Sequence, residues 1–191
     1  MNCLFRVMWT VTVTIALVVA PASYAANCHI TPYSTPAKDQ ARLDSGLVGQ
    51  WDNSFQQQMI SIRDYDGNQW DYFSLQKKPD TAEPQRLVLF LHGFPEFAWA
   101  WEKELAYFGD KVHAVALDLK GHHYSSAPDD TGEYNFLEIG WEMREVIRCL
   151  GYDKATIVGH DFGGAIGWIM GMLHPDAVDG LVIMNVPHPY L

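Results

Sequence analysis

The chain has 191 residues, enough for about one domain. Hydrophobic residues make up 48% and charged residues 19%, so the chain can bury a core and wholesale disorder is excluded. The formal charge is −10, and no cluster of Lys and Arg interrupts it, which argues against nucleic acid or an anionic membrane surface as partner and favours a neutral, apolar small molecule.

Residues 1–25 read as a secretory signal peptide. Arg6 supplies a positive start, Val7 to Ala20 is apolar, and Ser23-Tyr24-Ala25 is a small-x-small site with cleavage expected after Ala25. The apolar run is 14 residues long and contains three threonines. About 20 apolar residues span a bilayer. An uncleaved membrane anchor is therefore the less favoured alternative, and the expected destination is periplasmic or secreted. Asn27 before Cys28 departs from a lipoprotein cleavage box. Cys3 would leave with the signal, so Cys28 and Cys149 remain; they can pair in an oxidising compartment, but the spacing does not show that they meet. Cys149 lies on the apolar side of a predicted helix and is expected in the core.

Residues 26–54 are polar and punctuated by Pro32, Pro36, Gly46 and Gly49, and are expected to be an irregular leader on the surface of a domain covering 55–191. Met59 to Ile62 and Trp70 to Phe73 flank Asp66-Gly67, which predicts an antiparallel hairpin. Leu87 to Leu91 is continuously apolar, as are Val112 to Leu117, Thr156 to Val158 and Leu181 to Met184. Such runs suit strands buried on both faces of a parallel sheet. A helix is expected to start at the N-cap Asn135, with Glu138 three residues on, and to stop at Gly151. A second runs from about Gly163 to His174, ended by Pro175. The alternation predicts an α/β class, a mainly parallel sheet with helices on both faces.

The chemistry concentrates at Gly159-His160-Asp161-Phe162-Gly163. An apolar strand entering Gly-x-Asp-x-Gly and then a helix is the context of a nucleophile elbow. Side chains at 159 and 163 would collide with the neighbouring helix and strand, and Asp161 would sit at a helix N-terminus whose partial positive charge favours its ionised form. Alone, the motif also fits a loop with an ordinary N-capping Asp. A second loop at the same sheet edge, His92-Gly93-Phe94-Pro95-Glu96, changes the balance. In an elbow architecture the oxyanion hole takes one backbone N–H from this loop and one from the residue after the nucleophile, here Phe94 and Phe162.

On these residues, together with Trp101-Glu102, Trp168, His174-Pro175 and Asn185 to Pro189, residues from about 50 to 191 resemble the epoxide hydrolases of the α/β-hydrolase superfamily. The resemblance implies the N-terminal half of the α/β-hydrolase fold, its first six strands, with a cis Phe94–Pro95 peptide and an ester-forming Asp161. It also assigns shaping roles to His92, Gly93, Pro95, Gly159, His160 and Gly163. No cofactor and no metal are implied. The expected partner is a small apolar epoxide.

A carboxylate is already charged at neutral pH and suits displacement at saturated carbon rather than attack on esters. Two substrate classes follow, epoxides and alkyl halides. Haloalkane dehalogenases place Asn after the His-Gly pair and Trp after the nucleophile, and fluoroacetate dehalogenases place Arg there. Phe94 and Phe162 offer no side-chain donor, so epoxide is favoured and dehalogenation is the alternative.

Asp118 to Ser126 resembles the family's Asp-x-Arg-Gly-x-Gly-x-Ser-Asp loop, with Lys120 for Arg, His123 for Gly and Ser126 for Asp. One position of positive φ therefore carries a side chain. His122-His123 lacks a third ligand at suitable spacing, and a solvated loop is expected rather than a metal site. The chain stops at Leu191, where the family continues into a helical cap and its last strands. The cap tyrosines, the third acid and the catalytic His are expected beyond that point, which predicts a fragment alkylated once without turnover and an uncovered sheet edge at 181–186. The competing reading is a truncated, catalytically dead product or a noncatalytic ligand-binding shell.

Overall fold

The computed structural model describes residues 28–34, 54–81 and 86–189. The expected signal peptide and most of the expected leader lie outside these residues. Seven strands form one sheet: β1 (Cys28–Pro32), β2 (Gln56–Arg63), β3 (Gln69–Lys77), β4 (Leu87–Leu91), β5 (His113–Leu117), β6 (Ala155–His160) and β7 (Val178–Met184), in spatial order β1-β2-β3-β5-β4-β6-β7. β5, β4, β6 and β7 are mutually parallel, and the three N-terminal strands join antiparallel.

The expected hairpin is β2–β3. Its turn is organised by Asp64, whose carboxylate accepts from the backbone N–H groups of Asp66 (2.9 Å) and Asn68 (2.8 Å) and from the Trp70 indole (2.9 Å).

Alternation along the parallel strands divides the core in two. Leu87, Leu89 and Leu91 point to one face, with Ile60, Ile62, Val115, Leu117 and Ile157, and are covered by helices α2 (Phe136–Cys149) and α3 (Phe162–Leu173) through Ile139, Met143, Ile166 and Met170. Phe90 points to the other face, with Phe73, Leu75, Ala114 and Ala116, beneath a 3₁₀ turn (Ala98–Trp101) and helix α1 (Glu102–Phe108). Helices thus cover both faces. As expected, α2 begins at Asn135, whose side chain accepts from Leu137 N–H at 3.0 Å.

Two expectations about the N-terminal stretch need correction. Residues 28–32, read as irregular leader, form an edge strand paired with β2, and Cys28 is disulfide-bonded to Cys149, 121 residues away, with Cα atoms 5.9 Å apart. Cys149 is therefore a cross-link at the end of α2 and not simply a core thiol. Pro32 made the segment read as loop, but Tyr33 N–H donates to the Gln57 carbonyl at 3.0 Å, so by alternation the nitrogen of Pro32 faces away from β2. An edge strand tolerates Pro in that orientation. In the chain-entropy description a cross-link of this span stabilises a fold by about 5 kcal/mol.

The loop after β5 also differs from expectation. Lys120 is buried, its Nζ 2.6 Å from Glu142 Oε1 of α2, 3.1 Å from the Glu133 carbonyl and 3.9 Å above the Trp70 ring centre. The Tyr72 hydroxyl donates to the other Glu142 oxygen. Burial raises the Glu142 carboxyl, and the bonds from Lys120 and Tyr72 oppose that rise. Lys120→Met would strand Glu142 without its cation, so an unfolding titration should show a loss of roughly 3–5 kcal/mol. Glu142→Gln added to Lys120→Met should recover part of that loss.

His113 sits between β5's neighbours, with Nε2 3.0 Å from Gln76 Oε1 and Nδ1 3.1 Å from the Tyr152 hydroxyl. Burial, assisted by Lys78, pushes its pKa from 6.5 down to about 4. Because the folded value lies below the unfolded one, its contribution is whole above pH 6.5 and is lost as pH falls towards about 4. Urea midpoints across this window should decline by an amount worth about 3 kcal/mol from this group. The decline should flatten in His113→Gln.

Candidate active site

The sheet order creates a switch point between β4 and β6: from β4 the chain passes to β5 on one side, and from β6 to β7 on the other. Connections that diverge in this way leave a crevice outside the carboxyl ends of the two strands, the usual ligand position in open α/β sheets. Both sequence motifs fall there. Leu91 is paired with Gly159, so the loops that start at His92 and at Asp161 emerge side by side.

The elbow closes because two glycines let three backbones touch. A Cβ on Gly159 would overlap the Gly163 carbonyl of α3, and one on Gly163 would overlap the Leu91 carbonyl of β4. A Cβ on Gly93 would lie 2.7 Å from that of Asp161. The Gly163 N–H donates to the His92 carbonyl (3.0 Å) and the Asp161 N–H to the Met184 carbonyl (3.2 Å). These clamps hold Asp161 at φ 50°, ψ −115°, a conformation that an L-residue keeps only where its surroundings impose it.

Asp161 stands at the N-cap of α3 yet makes no side-chain capping bond. Its Oδ1 instead accepts from Phe94 N–H of the facing loop at 3.1 Å. The plain N-capping reading therefore fails. The backbone N–H of Phe94, then that of Phe162, hold the Asp161 carboxyl below its ordinary value of 3.8. Both predicted oxyanion donors thus converge on the predicted nucleophile. The Phe94–Pro95 peptide is cis.

Around this centre the other motif residues fix the frame. His92 is fully buried, with Nδ1 2.8 Å from the Gly93 carbonyl and Nε2 accepting from Leu119 N–H at 2.9 Å, so both ring nitrogens are committed. Burial lowers its pKa. Glu96, quoted in the sequence motif but given no role there, accepts from Gly93 N–H (3.0 Å) and lies 3.2 Å from His160 Nδ1. It ties the first loop to the elbow and borders a cavity of about 190 Å³ with Ala100, Trp101, His160 and Met184. Its position three residues after Gly93 was the available signal.

The 118–126 loop is solvated at Gly121 and His123, as expected, and held in place at its buried start. Asp118 accepts from Ala98 N–H (2.7 Å) and lies 2.9 Å from His123 Nδ1, while the His122 ring packs against His92 and Phe94. His123 does occupy positive φ, at 46°. Among the described residues, no three His, Cys, Asp or Glu side chains group to hold a metal. Trp168 Nε1 donates to the Val186 carbonyl at 3.2 Å and anchors the segment after β7.

Phe94 is 66% exposed and Phe162 40%. Their rings lie 5.9 Å apart beside Asp161, with Phe136 5.4 Å from Phe162. The wall over the carboxylate is therefore apolar, and the polar groups that meet Asp161 come from the backbone.

Residues 86–190, more than half of the chain, match the sequence profile of the alpha/beta hydrolase fold. The chain belongs to the α/β-hydrolase family. This α/β-hydrolase is 40% identical to epoxide hydrolase 1 of Caenorhabditis elegans over 108 residues, 56% of this chain and 27% of that protein. It is 38% identical to epoxide hydrolase 4 of Mus musculus over 103 residues, 54% of this chain and 29% of that protein. The chain thus spans less than a third of the length of these curated relatives. Among solved structures it is similar to an epoxide hydrolase from Bacillus megaterium, with TM-score 0.58 and 36% identity over 63% of this chain and 40% of that one. It is also similar to one from Vigna radiata, with TM-score 0.63 and 29% identity over 73% and 42%.

Gly163→Ala should break the contact between α3 and β4 on which the elbow rests. Thermal unfolding should fall by several degrees, consistent with a loss of about 1–3 kcal/mol for overpacking. Gly132→Ala, in an exposed turn away from the sheet, should leave it within about a degree.

Proposed function

We propose that Asp161 is the nucleophile of an epoxide-opening hydrolase. The observation that carries the reading is the elbow itself: it presents a carboxylate, not a hydroxyl, beneath two backbone N–H donors and beside an apolar wall. One Asp161 oxygen attacks a ring carbon, the C–O bond breaks, and the oxygen leaves with the electron pair and takes a proton from solvent. The product of this step is an aspartyl ester. Water then cleaves the ester at its carbonyl, releasing a vicinal diol, restoring the carboxylate and returning a proton to solvent. Phe94 and Phe162 N–H groups hold the negative oxygen before the first step and the oxyanion formed in the second. The scheme calls on no cofactor or metal, and the substrate is a small apolar epoxide.

The relatives named as epoxide hydrolases support this choice. Halide displacement is the competing use of such a nucleophile, and one relative, from Burkholderia, is named a fluoroacetate dehalogenase. The bare Phe162 side chain, with no cation to grip a substrate carboxylate, favours the epoxide.

We also propose export through residues 1–25 with cleavage after Ala25. The disulfide supports it, because such bonds persist in oxidising compartments. Among the described residues no helix is long and apolar enough to cross a membrane.

Intact-mass spectrometry after incubation with an aryl epoxide, alongside assay of diol and halide release, tests the nucleophile. A single covalent adduct or diol formation is expected in the wild type, and neither in Asp161→Ala. The reactive form is the carboxylate and its pKa is lowered, so alkylation should hold steady on acidification until the pH drops below 3.8. Modification that survives in Asp161→Ala, or halide release without epoxide opening, would overturn the assignment.

A further inference from the structure

We infer that the Cys28–Cys149 disulfide is a redox-operated clasp that decides whether β1 covers the edge of β2. β1 is short and mostly exposed, held by its ladder to β2, by Ile30 against the core, and by Tyr33 against Phe73 and Tyr124, with ring centres 4.9 and 4.8 Å away. The covalent tie runs from the first residue of the strand to the last residue of α2. β2, by contrast, keeps a full ladder to β3 and buries Ile60 and Ile62 almost completely. Cutting the tie therefore removes the strongest constraint on β1 and leaves β2 seated.

Both cysteines are only partly buried and lie at the margin of the core. A dithiol reductant attacks one sulfur and forms a mixed disulfide. Its second thiolate then closes on the first, so two electrons and two protons pass to the protein, giving two cysteine thiols and a cyclic oxidised reductant. With β1 released, the outer hydrogen-bonding edge of β2 is open to another strand.

The ladder geometry makes the consequence residue-specific. Because Tyr33 N–H bonds the Gln57 carbonyl, Met59 and Ser61 direct their amides at β1, opposite Thr31 and His29, while Ile60 and Ile62 direct theirs at β3.

Residue-resolved amide hydrogen exchange on the whole chain, before and after dithiothreitol, tests the clasp, with alkylation and mass spectrometry counting thiols. The expected result is a gain of two thiols and exchange at Met59 and Ser61 that accelerates by about tenfold or more beyond any acceleration at Ile60 and Ile62. Cys149→Ser should give the same pattern without reductant, and if that variant does not fold the reduced wild type decides. Three results would overturn the inference: Cys28 and Cys149 already free in protein made under oxidising conditions, no change at Met59 and Ser61 on full reduction, or equal acceleration at all four positions, which would make the bond a lock on the whole domain and not on β1.

Discussion

Everything at the reactive end of this protein depends on one steric fact, the approach of the α3 backbone to the Leu91 carbonyl at the end of β4. Gly163 permits it, and Gly159 permits the matching approach of β6 to the same turn. Once these three backbones are in contact, the direction of Asp161 is no longer a matter of rotamer choice. Its φ of 50° is imposed, and the carboxylate has to emerge towards the loop of His92 to Glu96. The order of the strands then supplies the crevice.

The second layer of organisation is polar and lies beneath that turn. His92 ties the first loop to Leu119, Glu96 ties it to His160, and Asp118 ties the loop after β5 to the turn at Ala98. His92 and Asp118 use side chains to satisfy backbone N–H groups of the facing segments, and Glu96 meets His160 side chain to side chain. The result is a rim that joins the loop after β4, the loop after β5 and the end of β6. His92 and Asp118 are buried, and buried polar groups satisfied in this way specify one arrangement of a loop over its alternatives.

Legibility of the sequence followed the range of the interactions. The hairpin, the apolar strands and the caps of α2 are local patterns, and Asn135, Asp66-Gly67 and Leu87 to Leu91 announced them. The elbow was legible because its glycines are demanded by contacts that follow from a strand, a turn and a helix in succession. β1 was not, since its pairing partner and its disulfide partner lie far along the chain, and Pro32 is tolerable only on the side of the strand that the sequence does not reveal. The loop of Asp118 to Ser126 was half legible. The positive φ at His123 followed from the glycine that it replaces, while the burial of Lys120 against Glu142 depends on where α2 docks.

At the centre of the crevice, the donors that meet Asp161 belong to the main chain of Phe94 and Phe162, and the rings of the same residues form the wall. If Asp161 is the nucleophile proposed above, its activation and the selection of its substrate are written in different atoms of the same two positions. Exchanging either ring for another side chain recuts the contour offered to a ligand while the charge state of the carboxylate is preserved. Such separability would make the proposed site evolvable: lineages could drift in what they accept without passing through a form that has lost its carboxylate.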